Sequence, residues 1–150
     1  MIIIDTSTFI DAIIPFKKDR HKISLNLLNK ISQLNLIIYE PKIFIIELSG
    51  VLTRYKPKEA VINHLNKIIP AINLIEYNEI HNLALEIALQ TSCRAIDALF
   101  MASAKHTNSI LISNDKTQIK NAKKANIEAY YLPKEHTTAI KRIEKYKQSS

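Results

Sequence analysis

Four carboxylates occupy positions where the pattern of the chain calls for apolar or capping residues: Asp5, Glu47, Asp97 and Asp115. Asp5 closes the apolar run Ile2-Ile3-Ile4, and Asp115 comes shortly after Ile110-Leu111-Ile112. Read on a helix, Glu47 has Ile43, Phe44, Leu48 and Val51 around it, all apolar. Asp97 shares its stripe with Cys93, Phe100, Met101 and Ala104. A buried carboxylate without a partner costs on the order of several kcal/mol, comparable to the stability of a small domain. Acids that converge therefore need a cation among them, which points to a divalent-metal site. Each acid also has a plainer reading. Asp5 and Asp115 suit helix N-caps, Asp97 suits the first turn of a helix, and Glu47 suits a rim position with its charge in water. Thr6 and Ser7, next to Asp5, serve either as caps or as support for the acid.

Other chemistries are poorly provided for. With one glycine in 150 residues, neither a G-x-G-x-x-G dinucleotide loop nor a G-x-x-x-x-G-K-[ST] phosphate loop is possible. His64, His81 and His106 lack the H-E-x-x-H spacing of zinc hydrolases and read as structural or exposed. The single cysteine, Cys93, excludes an internal disulfide and a cysteine-based zinc site, and no Cys/His/Asn set supports it as a nucleophile. No serine sits in a G-x-S-x-G elbow. The other acids, Glu40 among them, read as surface or local, with Asp11 left open because it lies one turn after Ser7. Net charge is +7, which favours an anionic partner, nucleic acid first. Arg94 and Lys116, each beside an acid motif, are candidate phosphate contacts.

The elements that must carry these residues alternate. Strand-like runs lie at Ile2–Asp5, Leu36–Tyr39, Asn73–Glu76, Ser109–Ser113 and Ile127–Leu132. Helical patterns fill the gaps: Ser7–Ile14, His21–Leu34, Pro41–Tyr55, Pro57–Ile69, Asn78–Thr91, Arg94–His106 and Lys116–Ala125, with a polar helical tail from Thr137. Continuous apolar strands between helices predict an α/β fold: a mostly parallel sheet of about four to five strands flanked by helices. One domain over 1–132 is expected, with a basic, helical tail over 133–150 belonging to it. In such sheets ligands bind beyond the carboxyl ends of the strands, where Asp5 and Asp115 both fall. No run is long enough to span a bilayer, and no secretory signal precedes the first strand, so a cytoplasmic location is expected.

The order and context of the acids resemble the PIN-domain ribonucleases, particularly the VapC toxins of toxin–antitoxin pairs. The resemblance rests on Ile2-Ile3-Ile4-Asp5-Thr6-Ser7, Ile46-Glu47-Leu48-Ser49-Gly50-Val51-Leu52, Asp97-Ala98-Leu99-Phe100-Met101-Ala102-Ser103-Ala104 and Leu111-Ile112-Ser113-Asn114-Asp115. It runs from Met1 to about Leu132. It implies that Asp5, Glu47, Asp97 and Asp115 are the catalytic, metal-binding acids, that Thr6 or Ser7 and Ser113 support them, and that one or two Mg²⁺ or Mn²⁺ ions serve RNA hydrolysis. It further implies a homodimer and a small antitoxin partner. Some relatives have another acid just beyond the fourth, where this chain has Lys116 and Thr117, which leaves the number of ions open. An RNA-processing PIN nuclease without an antitoxin, or a non-catalytic module that binds RNA or protein, are the competing expectations. Haloacid-dehalogenase-like phosphatases need a second Asp where Ser7 stands, and response-regulator receivers need paired acids after the first strand; neither pattern is present.

Overall fold

The computed structural model describes residues 1–148. The apolar runs become a five-stranded sheet, ordered β3-β2-β1-β4-β5 and parallel at every pairing. The strands are β1 (Ile2–Ile4), β2 (Ile38–Pro41), β3 (Ile72–Ile75), β4 (Ile110–Ser113) and β5 (Ala129–Tyr131). β1 is central, and Ile2, Ile3 and Ile4 are fully buried because helices cover both of its faces. The helices are α1 (Thr6–Ile13), α2 (Lys18–Gln33), α3 (Ile43–Leu52), α4 (Lys58–Ile68), α5 (Tyr77–Thr91), α6 (Ala95–His106), α7 (Lys116–Lys124) and α8 (Leu132–Gln148). The core runs through the sheet from Leu27 and Ile31 of α2 to Phe44 and Leu48 of α3 and Phe100 and Met101 of α6.

Three local departures from the sequence reading have physical causes. Pro41 ends β2 instead of starting α3. β1 pairs with β2 only as far as Tyr39, so the missing N–H of Pro41 breaks no bond to that strand. Pro57 is the N-cap of α4, one position before the first helical residue. The C-terminal helix begins at Leu132, not Thr137, with non-helical backbone at Glu135, and its Ala139 and Ile143 are fully buried. Residues 149 and 150 of the expected tail lie outside the described residues.

Scarcity of glycine shows in the turns. Asn35, Ser92, Asn108 and Asn126 adopt positive φ, 51–57°, just after helices α2, α5, α6 and α7. Glycine usually takes that left-handed position, and asparagine is the common substitute. Ser92 closes α5 two residues before Arg94, the N-cap of α6.

Candidate functional site

Asp5 leaves β1 at its carboxyl end and caps α1. Its Oδ2 accepts from the Ser7 N–H at 3.1 Å and from the Ser7 hydroxyl, and Ser113 Oγ donates to the same oxygen at 3.0 Å. The Asp5 N–H donates to the Ile112 carbonyl at 2.9 Å, tying the acid to β4. Thr6, the next residue, turns its hydroxyl to Glu47 on α3, donating to Oε2 at 2.5 Å. Asp115 caps α7, accepting from the N–H groups of Thr117 and Gln118 at 2.8 and 3.2 Å. Its own N–H donates to Ser113 Oγ at 2.9 Å, so one hydroxyl links the backbone of Asp115 to the carboxylate of Asp5. Asp5 and Asp115 both cap helices, and Ser113 links the two strand ends they occupy.

Asp97 is buried in the first turn of α6. Arg94 grips it with both arms of its guanidinium, Nε to Oδ2 at 2.9 Å and Nη2 to Oδ1 at 3.2 Å, and the same Nη2 reaches Asp115 Oδ2 at 3.4 Å. Although Arg94 bridges two acids, its side chain is 75% exposed. These residues line a cleft of about 350 Å³ with Ser92, Cys93, Thr117 and Asn121. Lys116 is exposed at the start of α7 and lies outside that lining.

Electrostatics tie the remaining acids together. Burial raises the pKa of Asp5, and repulsion from Asp97 adds to it, against hydrogen bonds from Ser7 and Ser113 that lower it. Burial also raises Glu47, with further upward pressure from Asp5 and Asp97, opposed by the Thr6 hydroxyl and by Arg94. Asp5, Glu47 and Asp97 thus sense one another directly, and Asp115 joins them through Arg94 and Ser113. Among the described residues, no three Asp, Glu, His or Cys side chains stand close enough together to enclose a metal ion. The donor chemistry still fits a hard divalent cation. All four acids offer oxygen, and burial, with repulsion from neighbouring acids, raises the pKa of two of them, an unfavourable setting for the carboxylates that a cation would relieve.

Residues that the sequence reading set aside surround this cluster. Glu40, expected at the surface, is fully buried. Its Oε1 accepts from the Ile4 N–H at 2.8 Å, replacing the ladder bond that β1 loses where it diverges from β2, and Oε2 has no partner. Burial drives the Glu40 pKa well up, with Asp5 adding to the rise. The available signal was its place at the carboxyl end of a strand, the same criterion that singled out Asp5. Asp11, left open from sequence, joins a second layer: its Oδ2 accepts from Arg20 Nε at 2.9 Å and from Asn114 Nδ2 at 2.6 Å. Asn114 also donates to Ser24 Oγ at 3.0 Å and through its backbone N–H to Ser7 Oγ at 3.2 Å. No periodicity marks Arg20, Ser24 or Asn114, because their roles arise between segments about ninety or more positions apart.

The raised pKa of Glu40 has a pH consequence. Its folded pKa lies above the unfolded value, so its contribution favours folding below about pH 4.5 and is lost as pH rises through the folded pKa. Glu40→Gln keeps an acceptor for Ile4 and carries no charge to bury. It is expected to melt several degrees above the parent chain at pH 8, about 1–3 kcal/mol, and close to it at pH 4.5. Thermal melts across that range check this, and a constant difference at all pH values would refute it.

A family model described as the PIN domain matches residues 2–124. Among solved structures, FitAcB from Neisseria gonorrhoeae is similar at TM-score 0.69 and 16% identity, over 87% of this chain and 96% of that one. VapBC-1 from nontypeable Haemophilus influenzae gives 0.68 at 19%, over 89% and 100%. VapBC2 from Rickettsia felis, solved bound to a DNA fragment from the promoter, gives 0.67 at 20%, over 87% and 98%. At these identities the structures speak for the fold alone. None of the curated proteins matches.

Proposed function

Because this chain belongs to the PIN domain family, we propose that it is a metal-dependent endoribonuclease and the toxin of a two-protein toxin–antitoxin pair. The observation that carries the reading is the grouping of acids at the carboxyl end of the sheet: Asp5 held by Ser7 and Ser113, Glu47 held by Thr6, and Arg94 spanning Asp97 and Asp115. Such an arrangement stores unfavourable charge that a divalent ion would relieve. Asp5, Glu47, Asp97 and Asp115 would hold Mg²⁺ or Mn²⁺, one ion or two. When bound, the ion supplies neutralisation of phosphate charge and activation of water for phosphodiester hydrolysis.

The chain's own groups do the rest. Ser7 and Ser113 fix the Asp5 carboxylate, and Thr6 fixes Glu47, so the oxygens are oriented before any ligand arrives. Arg94, exposed on the cleft side, is placed to meet a phosphate once its grip on the acids loosens. No protein nucleophile is required, which accords with the lack of a Cys/His/Asn set or serine elbow in the sequence.

The antitoxin partner is carried from the FitAcB and VapBC complexes, and the proposed second copy of the chain is supported by an apolar groove of about 490 Å³. That groove is lined by Pro41, Ile43, Ile45, Ile46, Tyr77 and Leu99, with none of the four acids in its lining, and Ile46 is 69% exposed. No helix among the described residues is long and apolar enough to cross a membrane. A cytoplasmic location remains part of the proposal.

The test combines melting and cleavage. Mn²⁺ at a hundred times its Kd is expected to stabilise the chain by about 2.7 kcal/mol and to start cleavage of single-stranded RNA that EDTA stops. Arg94→Gln removes the competing cation and is expected to tighten Mn²⁺ binding by roughly tenfold, visible as a larger Tm shift at limiting metal. A chain that neither gains stability with Mn²⁺ or Mg²⁺ nor cleaves RNA would overturn the assignment in favour of a binding module.

A further inference from the structure

We propose that Phe16 and Tyr55, with the cations beside them, form a stacking platform for a base of single-stranded RNA; the proposal deepens the nuclease reading and rests on it. Phe16 lies between α1 and α2, and Tyr55 lies in the turn between α3 and α4. They are 58% and 53% exposed, yet their rings meet edge to face, with centroids 4.6 Å apart and planes at 73°. Two separate loops therefore hold an aromatic pair with more than half of its surface in water. Surfaces of this kind bind nucleobases, since every base has a π face to stack.

Charge selects the occupant. Lys17 and Lys18 follow Phe16, Arg54 and Lys56 flank Tyr55, and Lys58 opens α4. None of these five cations has an ion-pair partner among the described residues. The nearby carboxylates in sequence, Asp19 and Glu59, sit in the first turns of α2 and α4, where the helix dipoles favour them. The groove around Ile46 and Tyr77 differs: its one lysine, Lys42, is paired with Glu76 at 2.8 Å. An aromatic pair whose chain neighbours are cations without ion-pair partners among the described residues suits a polyanion that also carries flat bases.

Position completes the argument. The Thr6–Glu47 hydrogen bond joins α1 and α3 at the acids, and the Phe16–Tyr55 pair joins the segments that follow those helices. Glu47 lies five positions before the end of α3, about 8 Å at the helical rise, and Tyr55 comes three residues after that end. An extended strand covers that span in a few nucleotides. A base held on the platform would leave a phosphate a few nucleotides along the strand within reach of the acids.

Fluorescence anisotropy with labelled single-stranded oligouridine in EDTA tests binding without cleavage, and cleavage in Mn²⁺ is read in parallel on the full chain. Tyr55→Phe is expected to bind like the parent. Tyr55→Leu and Phe16→Leu keep the apolar character but lose the stacking, and each is expected to weaken binding about tenfold with no loss in Tm. Lys17→Gln and Lys56→Gln are each expected to flatten the salt dependence of log K by about 0.7. Loss of binding in the leucine variants, together with a parent chain that cleaves nothing, would keep the platform and remove the nuclease. Unchanged affinity in the Phe16→Leu/Tyr55→Leu double variant would overturn the platform whether or not RNA is cut, and would leave the pair as a protein-docking contact. A parent chain that fails to bind the oligonucleotide would overturn it as well.

Discussion

Asp97→Asn is expected to lower RNA cleavage by more than about 100-fold, since even the groups that merely orient a metal ligand are worth about 10–100-fold. It is also expected to leave the fold intact. Asp97 raises the pKa of both Asp5 and Glu47 by repulsion, so an amide in its place removes a cost from the resting protein. Its ion pair with Arg94 is the opposing loss, but that guanidinium is largely in water, where such pairs contribute little. Tm at neutral pH should accordingly stay level or rise, while the stabilisation by Mn²⁺ shrinks or disappears. Three readings on one variant (cleavage, Tm without metal and Tm with metal) separate a chemical role from a structural one. Retention of full cleavage would remove Asp97 from the site. Loss of cleavage with a collapse in Tm would mark it as a structural acid.

Phe44→Ala is expected to be the costliest change in the core, at about 3–5 kcal/mol, or roughly 10 °C in Tm for a chain of this length. Phe44 is fully buried and its ring meets Phe9 at 4.9 Å in a tilted pair, joining α3 to α1. Alanine would leave a void with no polar group to admit water, and close-packed neighbours relax only partly into such a space. The consequence reaches the acids, because Phe44 lies one turn before Glu47 on α3 and Phe9 lies one turn after Thr6 on α1. The Thr6–Glu47 bond depends on the same helix contact that the two rings maintain. Phe44→Leu, nearer in volume, should cost much less. Denaturant unfolding of the two variants checks this, and a loss below about 1 kcal/mol in Phe44→Ala would show that α3 is held by something other than this contact.

Hydrophobic pattern is a local property, which is why the alternation of strands and helices was legible while several boundaries were not. β2 and β3 lie one or two residues from the apolar runs that announced them, because pairing fixes their limits: Ile38 stands opposite Ile2 on one side and Ile72 on the other. Pro41 reads equally well as a strand end or a helix start until the reach of β1 is known. Glu40 was misread for a related cause. Its neighbours Tyr39 and Pro41 carry no sign that its carboxyl group would turn inward to meet the Ile4 N–H, an event decided by where two strands part.

By itself the sequence determined the alternating α/β architecture, the lack of glycine-built nucleotide loops, the excess of positive charge, and the anomaly of four carboxylates in apolar or strand-end settings. Each follows from composition or from neighbours within a few positions. Only the tertiary structure decided that Arg94 would bridge Asp97 and Asp115, that Ser113 would link Asp5 to Asp115, that Glu40 would be buried beside them, and that Phe16 would meet Tyr55. Those contacts join residues as far as 108 positions apart, and hydrogen bonds and charge act through space, where distance along the chain carries no weight.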